Sequence, residues 1–328
     1  MKSYEIIPLI ASSPNIAKNT DPTLIGNVMT IQDDKQQYKE PLLYAYAVNS
    51  DGDLILKSYT LQGIFVKQYV SNNNVSPPDD LVTNETQGFV VETVDKKQSA
   101  AGSVFTLFND DNVFIYGVNT WLPEKTLFKL DPSDFSFKSF SFYGKYLYAT
   151  TSTGDRNIDV FDFNFNRVEG FLFTPTNVPE NYQSVNVKVI DEKVYVVYAP
   201  SSTKGGIVNV YNLDGTYLKT LINDPTLVIP WGIVKTRKFG KYSCTYLVGN
   251  RRLLESSVDD FTLSIYDKHG VYKGKLKDKN NNSLAIEGLR SLNFYDDKLY
   301  YAASTKDCAD CEGLATVGYI RPSKNCHQ

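Results

Sequence analysis

The sequence predicts an all-β chain folded as a six-bladed β-propeller, and three observations predict it. One phrase of alternating polarity is written three times, as Ile158-Asp159-Val160-Phe161-Asp162, Val208-Asn209-Val210-Tyr211-Asn212 and Leu263-Ser264-Ile265-Tyr266-Asp267. Turn signals follow each copy (Asn164-Phe165-Asn166, Asp214-Gly215, His269-Gly270), and a second apolar run returns through Val168 to Phe173, Tyr217 to Ile222 and Tyr272 to Leu276. Each unit is a hairpin, and it recurs about every fifty residues, the spacing expected of propeller blades.

The period of two marks strands. In the first copy Ile158 and Val160 point to one face and Phe161 to the other, so neither face is written for water. Blades stacked side by side bury both faces, and broad Tyr and Phe rings fill the wedge between them.

In chain order, Asp21-Pro22-Thr23-Leu24-Ile25 returns as Asp224-Pro225-Thr226-Leu227-Val228, which gives the two segments equivalent places, and residues 20–31 are expected to contribute to ring closure. The second copy runs into Pro230-Trp231-Gly232-Ile233-Val234, read as a turn feeding an innermost strand. A further class of strand, a polar turn followed by an aromatic apolar run, is expected at Leu42 to Val48, Asn112 to Val118, Lys145 to Thr150, Lys193 to Ala199, Tyr242 to Val248 and Lys298 to Ala303. Pairing each with its successor places blades near 40–70, 108–142, 143–174, 190–222, 241–278 and 294–320 of one domain spanning 1–328. Residues 71–102, with Asn72-Asn73-Asn74 and Pro77-Pro78-Asp79-Asp80, form an irregular insertion around a strand at Gly88 to Val94. Such a loop either carries binding or decorates the ring.

Composition bounds the function. The 328 residues are 42% hydrophobic and 13% aromatic, enough for a large core, and the formal charge is -3. Lys and Arg read as scattered, with Arg251-Arg252 the one local cluster, so the sequence makes no electrostatic case for nucleic acid. Residues Met1 to Ala17 lack the apolar core of an export signal, and no apolar run approaches the roughly 20 residues that cross a bilayer. The expectation is a cytoplasmic or virion protein without membrane insertion.

The phrase Asp224-Pro225-Thr226-Leu227-Val228-Ile229-Pro230-Trp231-Gly232-Ile233 resembles one shared by a family of uncharacterised, mostly bacterial and exported, β-propeller proteins of the NHL and lactonase-like kind. Thr20-Asp21-Pro22-Thr23-Leu24, Ile158-Asp159-Val160-Phe161-Asp162, Leu247-Val248-Gly249-Asn250, Gly274-Lys275-Leu276-Lys277-Asp278 and Glu287-Gly288-Leu289 are similar to further family phrases. The chain departs from the family where Arg251-Arg252-Leu253-Leu254-Glu255 replaces a glycine-rich stretch, and where Cys308-Ala309-Asp310-Cys311-Glu312-Gly313 recasts the usual ending. The resemblance implies the fold and transfers no catalytic residues; a diverged, intracellular or virally encoded copy fits the departures.

Candidate sites are few. Cys308, Cys311, Cys326 and His327 offer four soft ligands of the kind zinc takes, or a disulfide from Cys308 or Cys311 to Cys326, or free thiols. Cys244 is expected inside a strand as an ordinary buried residue. His269 falls at a hairpin tip and His327 near the terminus, so neither is a catalytic candidate. Asn27, Asn186 and Glu287 stand at the entries to inner strands, where they would face one another across a channel as oxygen ligands of a calcium-type site or else cap turns. Trp231 is a partner-binding candidate as a stacking platform, with packing between blades as its structural alternative, and Arg251 and Arg252 are charged candidates for the same role. Sequons at Asn74, Asn84 and Asn281 are expected by chance in an Asn-rich chain.

These features predict a non-catalytic recognition or assembly scaffold that needs no cofactor and holds a protein or other macromolecule at the channel mouth or the 71–102 loop. A metal-assisted lactonase- or esterase-like hydrolase at the channel is the alternative, with a divalent ion as its cofactor, and a structural component of a viral particle is a second alternative.

Overall fold

Hairpin chemistry sets the architecture. In the computed structural model, the third strand of a sheet ends on an aromatic residue, and a five-residue turn then reverses the chain. At Asp267 the backbone N–H donates to the Val271 carbonyl (3.0 Å) and the Gly270 N–H donates back to the Asp267 carbonyl (2.9 Å). The Asp267 carboxylate accepts the His269 and Val271 N–H groups (2.9 and 3.0 Å). Thr60 to Ile64, Asn212 to Thr216 and Asp278 to Asn282 close by the same pair of backbone bonds. The fourth position has positive φ in each case, at Gly63 (82°), Gly215 (89°), Gly270 (80°) and Asn281 (68°). That left-handed residue is what a type I turn needs to close a hairpin with a bulge, and Gly or Asn supplies it at least cost. The register shifts there, and the flanking rings pair across the strands, with Tyr59 5.9 Å from Phe65, Tyr211 5.8 Å from Tyr217 and Tyr266 5.7 Å from Tyr272.

The structure describes residues 3–11, 23–24, 29–31, 42–48, 54–70, 88–90, 103–108, 114–119, 126–130, 137–143, 146–151, 156–162, 166–200, 203–250, 261–286, 289–295, 297–304 and 315–323. They form an all-β fold of antiparallel sheets. The first sheet holds β2 (Thr23–Leu24), β3 (Met29–Ile31), β4 (Leu42–Val48), β5 (Leu54–Tyr59) and β6 (Phe65–Val70). The second holds β7 (Gly88–Val90), β8 (Ser103–Phe108), β9 (Phe114–Asn119) and β10 (Thr126–Leu130), and the third β11 (Phe137–Tyr143), β12 (Tyr146–Thr151) and β13 (Ile158–Phe161). The fourth runs through β14 (Tyr182–Ile190), β15 (Lys193–Pro200), β16 (Gly206–Tyr211) and β17 (Tyr217–Asp224). The fifth has β18 (Pro230–Lys235), β19 (Tyr246–Asn250), β20 (Leu263–Tyr266) and β21 (Tyr272–Lys275). The sixth joins β22 (Leu289–Tyr295), β23 (Lys298–Ser304) and β24 (Ala315–Pro322) to β1 (Tyr4–Ala11), with Tyr4 opposite Pro322 and Ala11 opposite Thr316.

Both faces of the fourth sheet are dry. On β15, Val194, Val196 and Tyr198 pack toward the third sheet, while Tyr195, Val197 and Ala199 pack toward the fifth. A third apolar cluster, built on Leu247, Leu263, Leu289, Leu292 and Leu299, fills the space between the fifth and sixth sheets. First strands lie side by side, β7 with β11, β11 with β14, β14 with β18, β18 with β22 and β22 with β3. A first strand has no strand on its free edge, so its buried N–H groups need other acceptors. On β14, Val187 and Val189 donate to the Ser139 and Ser141 hydroxyls of β11 (3.4 and 3.0 Å), which shows that the two strands run in the same direction.

The structure corrects two local expectations. The run Val168 to Phe173 is not a regular fourth strand: Arg167 bridges Phe161, the chain turns at Glu169 and Gly170 (φ 92°), and Phe171 and Phe173 pack instead on Tyr146 and Tyr148. The strand expected from Tyr242 begins at Tyr246, because Thr236 to Thr245 closes a turn in which Cys244 has φ 56° and is exposed, not buried in a strand.

Candidate interaction face

Meander topology puts the turns between strands one and two, and three and four, of each sheet at one end of that sheet. The turns between strands two and three emerge at the other. Cross-sheet contacts align these ends. Tyr143 donates to Glu192 (3.1 Å), Asp191 pairs with Lys235 (2.5 Å), and the Phe239 ring lies 5.5 Å from Phe294, each residue sitting at or just beyond the end of a first strand. We call this the hairpin end.

The turn tips there lean on the sheet before them. A Cβ at Gly215 would lie 2.8 Å from the Leu172 nitrogen, and one at Gly270 1.6 Å from the Leu221 carbonyl oxygen. The tip of the first sheet repeats the contact on β1, where a Cβ at Gly63 would meet Leu9 at 3.0 Å. Tyrosines stitch the same seams. Tyr211 donates to the Thr174 carbonyl (3.0 Å) and Tyr266 to the Asp224 carboxylate (2.7 Å), each reaching the link that leads into its own sheet. Burial pushes the Tyr211 and Tyr266 hydroxyls above the ordinary phenol value, and the Asp224 carboxylate pushes Tyr266 further.

The hairpin end shows apolar side chains to solvent beside its charged ones. Among the described residues, the exposed large hydrophobic side chains are Ile64, Phe65, Leu172, Leu218, Val271, Tyr272 and Tyr295; all but Leu172 belong to a turn or strand end on this side. Ile64 and Val271 stand directly after the turn glycine, Tyr272 follows Val271, and Leu172 lies under the Gly215 tip. Charge is uneven too. Lys235 pairs with Asp191, which holds the ammonium above the ordinary lysine value, and Arg237 reaches the same carboxylate at 3.7 Å.

Of the residues singled out in the sequence, Trp231 is 4% exposed and packs in the core between the fourth and fifth sheets with Leu221, Ile233 and Tyr246. Asn186 is half-buried on β14, opposite Val197 and beside a bulge at Ser184. His269 is exposed in its turn, and so is Asn281. Asn27, Glu287, Arg251, Arg252, Cys308, Cys311, Cys326, His327, Asn74 and Asn84 lie outside the described residues, as does the 71–102 segment apart from β7. Among the described residues no three His, Cys, Asp or Glu side chains gather as metal ligands would. Two features escaped the sequence reading. Thr174-Pro175-Thr176-Asn177-Val178 is a third copy of the Asp224-Pro225-Thr226-Leu227-Val228 link, recognisable by its Pro-Thr pair, and Lys235, Arg237, Lys238 and Lys241 form a basic cluster within seven residues.

No protein-family model matches the chain. It is 26% identical over 319 residues to R648, an uncharacterized protein of Acanthamoeba polyphaga mimivirus, covering 88% of this chain and 73% of R648. Two further uncharacterized proteins of that virus are similar, L690 at 30% over 173 residues (47% of this chain, 44% of L690) and R640 at 24% over 259 residues (72% and 47%). The chain thus spans less than half the length of L690 and R640. Its backbone is similar to that of Chaetomium thermophilum Raptor, with a TM-score of 0.50 at 13% identity over 90% of this chain and 24% of that one. The WD40 β-propeller domain of Doa1 gives a TM-score of 0.49 at 12% identity over 96% of both chains. At such identities the Raptor likeness is one of fold alone. No helix of the described residues is long and apolar enough to cross a membrane.

Proposed function

We propose that the chain is a six-bladed β-propeller acting as a non-catalytic recognition or assembly scaffold, which holds a macromolecular partner on its hairpin end. The observation that carries this reading is the one-sided distribution of apolar surface. Scattered exposed hydrophobes are normal, but Ile64 and Phe65 of the first sheet and Val271 and Tyr272 of the fifth recur at equivalent places beside their turn glycines, and with Leu218 and Tyr295 at the same end they read as an interaction surface. The side-by-side first strands, the dry sheet faces and the pairing of β1 with β24 support a closed ring, as do the phrases shared with the lactonase-like propeller family. The mimivirus relatives favour a viral setting, in which a particle component is one form such a scaffold takes.

Crosslinking in cells that produce the protein, read by mass spectrometry, tests the proposal. Partner crosslinks should come from Lys268 and Lys273 at the hairpin end and should be lost in a Leu218→Ser, Val271→Ser, Tyr272→Ser variant. Crosslinks concentrated at Lys204, on the opposite end, would overturn it. So would a stoichiometric divalent ion in the purified chain together with lactone or ester hydrolysis.

A further inference from the structure

The hairpin joining β18 to β19 holds four cations, and among the described residues Asp191 is the one carboxylate paired with any of them. From Lys235 to Tyr246 the chain contains Lys235, Arg237, Lys238 and Lys241 and no carboxylate. Asp191 meets Lys235 at 2.5 Å and Arg237 at 3.7 Å, and the Arg237 side chain remains 84% exposed. Lys238 and Lys241 are exposed, and among the described residues no carboxylate pairs with either; Lys241 lies 4.8 Å over the Tyr242 ring.

The hairpin is also bonded internally and anchored to the core. Thr236 is buried and donates to the Tyr242 carbonyl (2.5 Å), while its own oxygen accepts the Thr245 N–H (3.1 Å). Phe239, in the middle of the cations, is fully buried between the fifth and sixth sheets. Its ring lies 4.8 Å from that of Tyr4, whose hydroxyl donates to the Phe239 carbonyl (3.0 Å). Like charges held together on such a loop repel one another, and an acidic partner would relieve that repulsion. Because the loop is already ordered, that partner would find its countercharges in place.

We propose that this hairpin is a docking site for a short acidic segment of a protein. The proposal rests on the scaffold reading above and names the chemistry of what the scaffold holds. A short acidic segment meets only the hairpin. A long nucleic acid would also meet the rest of a chain whose formal charge is -3 even with these cations included.

Fluorescence anisotropy with the whole chain tests this, using a fluorescein-labelled oligoglutamate peptide and a single-stranded oligodeoxythymidylate of equal charge. The peptide should bind more tightly than the oligonucleotide and release as salt rises. Arg237→Glu, Lys238→Glu, Lys241→Glu together should weaken it about tenfold or more, whereas Lys219→Glu on β17 should leave it unchanged. The milder Arg237→Gln, Lys238→Gln, Lys241→Gln variant gives the same reading if the charge reversals impair folding. Peptide binding unaffected by these substitutions, no saturable peptide binding at all, or an oligonucleotide bound as tightly would each overturn the assignment. Partner crosslinks still mapping to the hairpin end would then show that only the acidic-partner assignment had failed.

Discussion

The fourth sheet is complete and the third is not, yet both are equally buried. In the fourth, β17 runs unbroken from Tyr217 to Asp224 beside β16, with two register shifts. In the third, the chain leaves β13 after the single bridge from Phe161 to Arg167, turns at Gly170, and lays Phe171 and Phe173 against Tyr146 and Tyr148. Ile158, Val160 and Phe161 are nonetheless as buried as Val208, Val210 and Tyr211. The next sheet explains this. Its turn tip presses on Leu172 in one case and on Leu221 in the other, so what each sheet must supply is backbone for its neighbour to lean on. A fourth strand is one way to supply it, and an aromatic-anchored crossing is another.

Substitutions at the tips should separate the two solutions most strongly. Gly270→Ala puts a methyl 1.6 Å from the Leu221 carbonyl of a regular strand and at φ 80°, so a loss of about 3 kcal/mol or more is expected in chemical denaturation. Gly215→Ala presses on the looser Leu172 crossing, and a smaller loss of about 2 kcal/mol is expected; equal losses would erase the distinction. Next in size is Tyr211→Phe in the fourth sheet, which removes a buried hydroxyl shared by Tyr198, Asn209 and Thr174 and should cost about 1 to 2 kcal/mol. Gly170→Ala meets nothing within 4 Å and carries only the penalty of φ 92°, about 1 kcal/mol. A larger loss would mean that the third sheet depends on its break more than its surroundings indicate.

The smallest effect is one of pH. Asp214, in the turn of the fourth sheet, is held below the ordinary carboxylate range chiefly by the Thr216 N–H and hydroxyl. A depressed folded value favours the fold above the unfolded pKa of about 3.9, and that contribution is lost as pH falls further. In Asp214→Asn the acid limb of the stability profile should be slightly shallower than in the native chain, and an unchanged limb would remove the carboxylate from the account.

Hairpins and dry faces were legible because their causes are local: Asp-Gly, a period of two, and an aromatic before the turn. The outer strand of the third sheet misled because Val168 to Phe173 has strand composition, and only Gly170 hints at the break. First strands such as β14 are harder to read, since their free edge is satisfied by Ser139 and Ser141, some 48 residues away in sequence. Cys244 was misplaced because nothing in Tyr242-Ser243-Cys244 announces a left-handed residue. The basic hairpin went unnoticed because Phe239 interrupts it, and its significance depends on which side chains point outward. Trp231 carries a partner-binding signal by residue type alone, whereas its surroundings make it core.

The pairing of β1 with β24 has a consequence for synthesis. A ribosome delivers β1 and its companion more than three hundred residues apart, so β1 has no sheet to join until β22 to β24 have been made. Until then the nascent chain displays an open strand edge that invites wrong neighbours, and such long-range pairings form slowly. Once made, the clasp joins segments far apart in the sequence, and opening it should be the slow step on the way out.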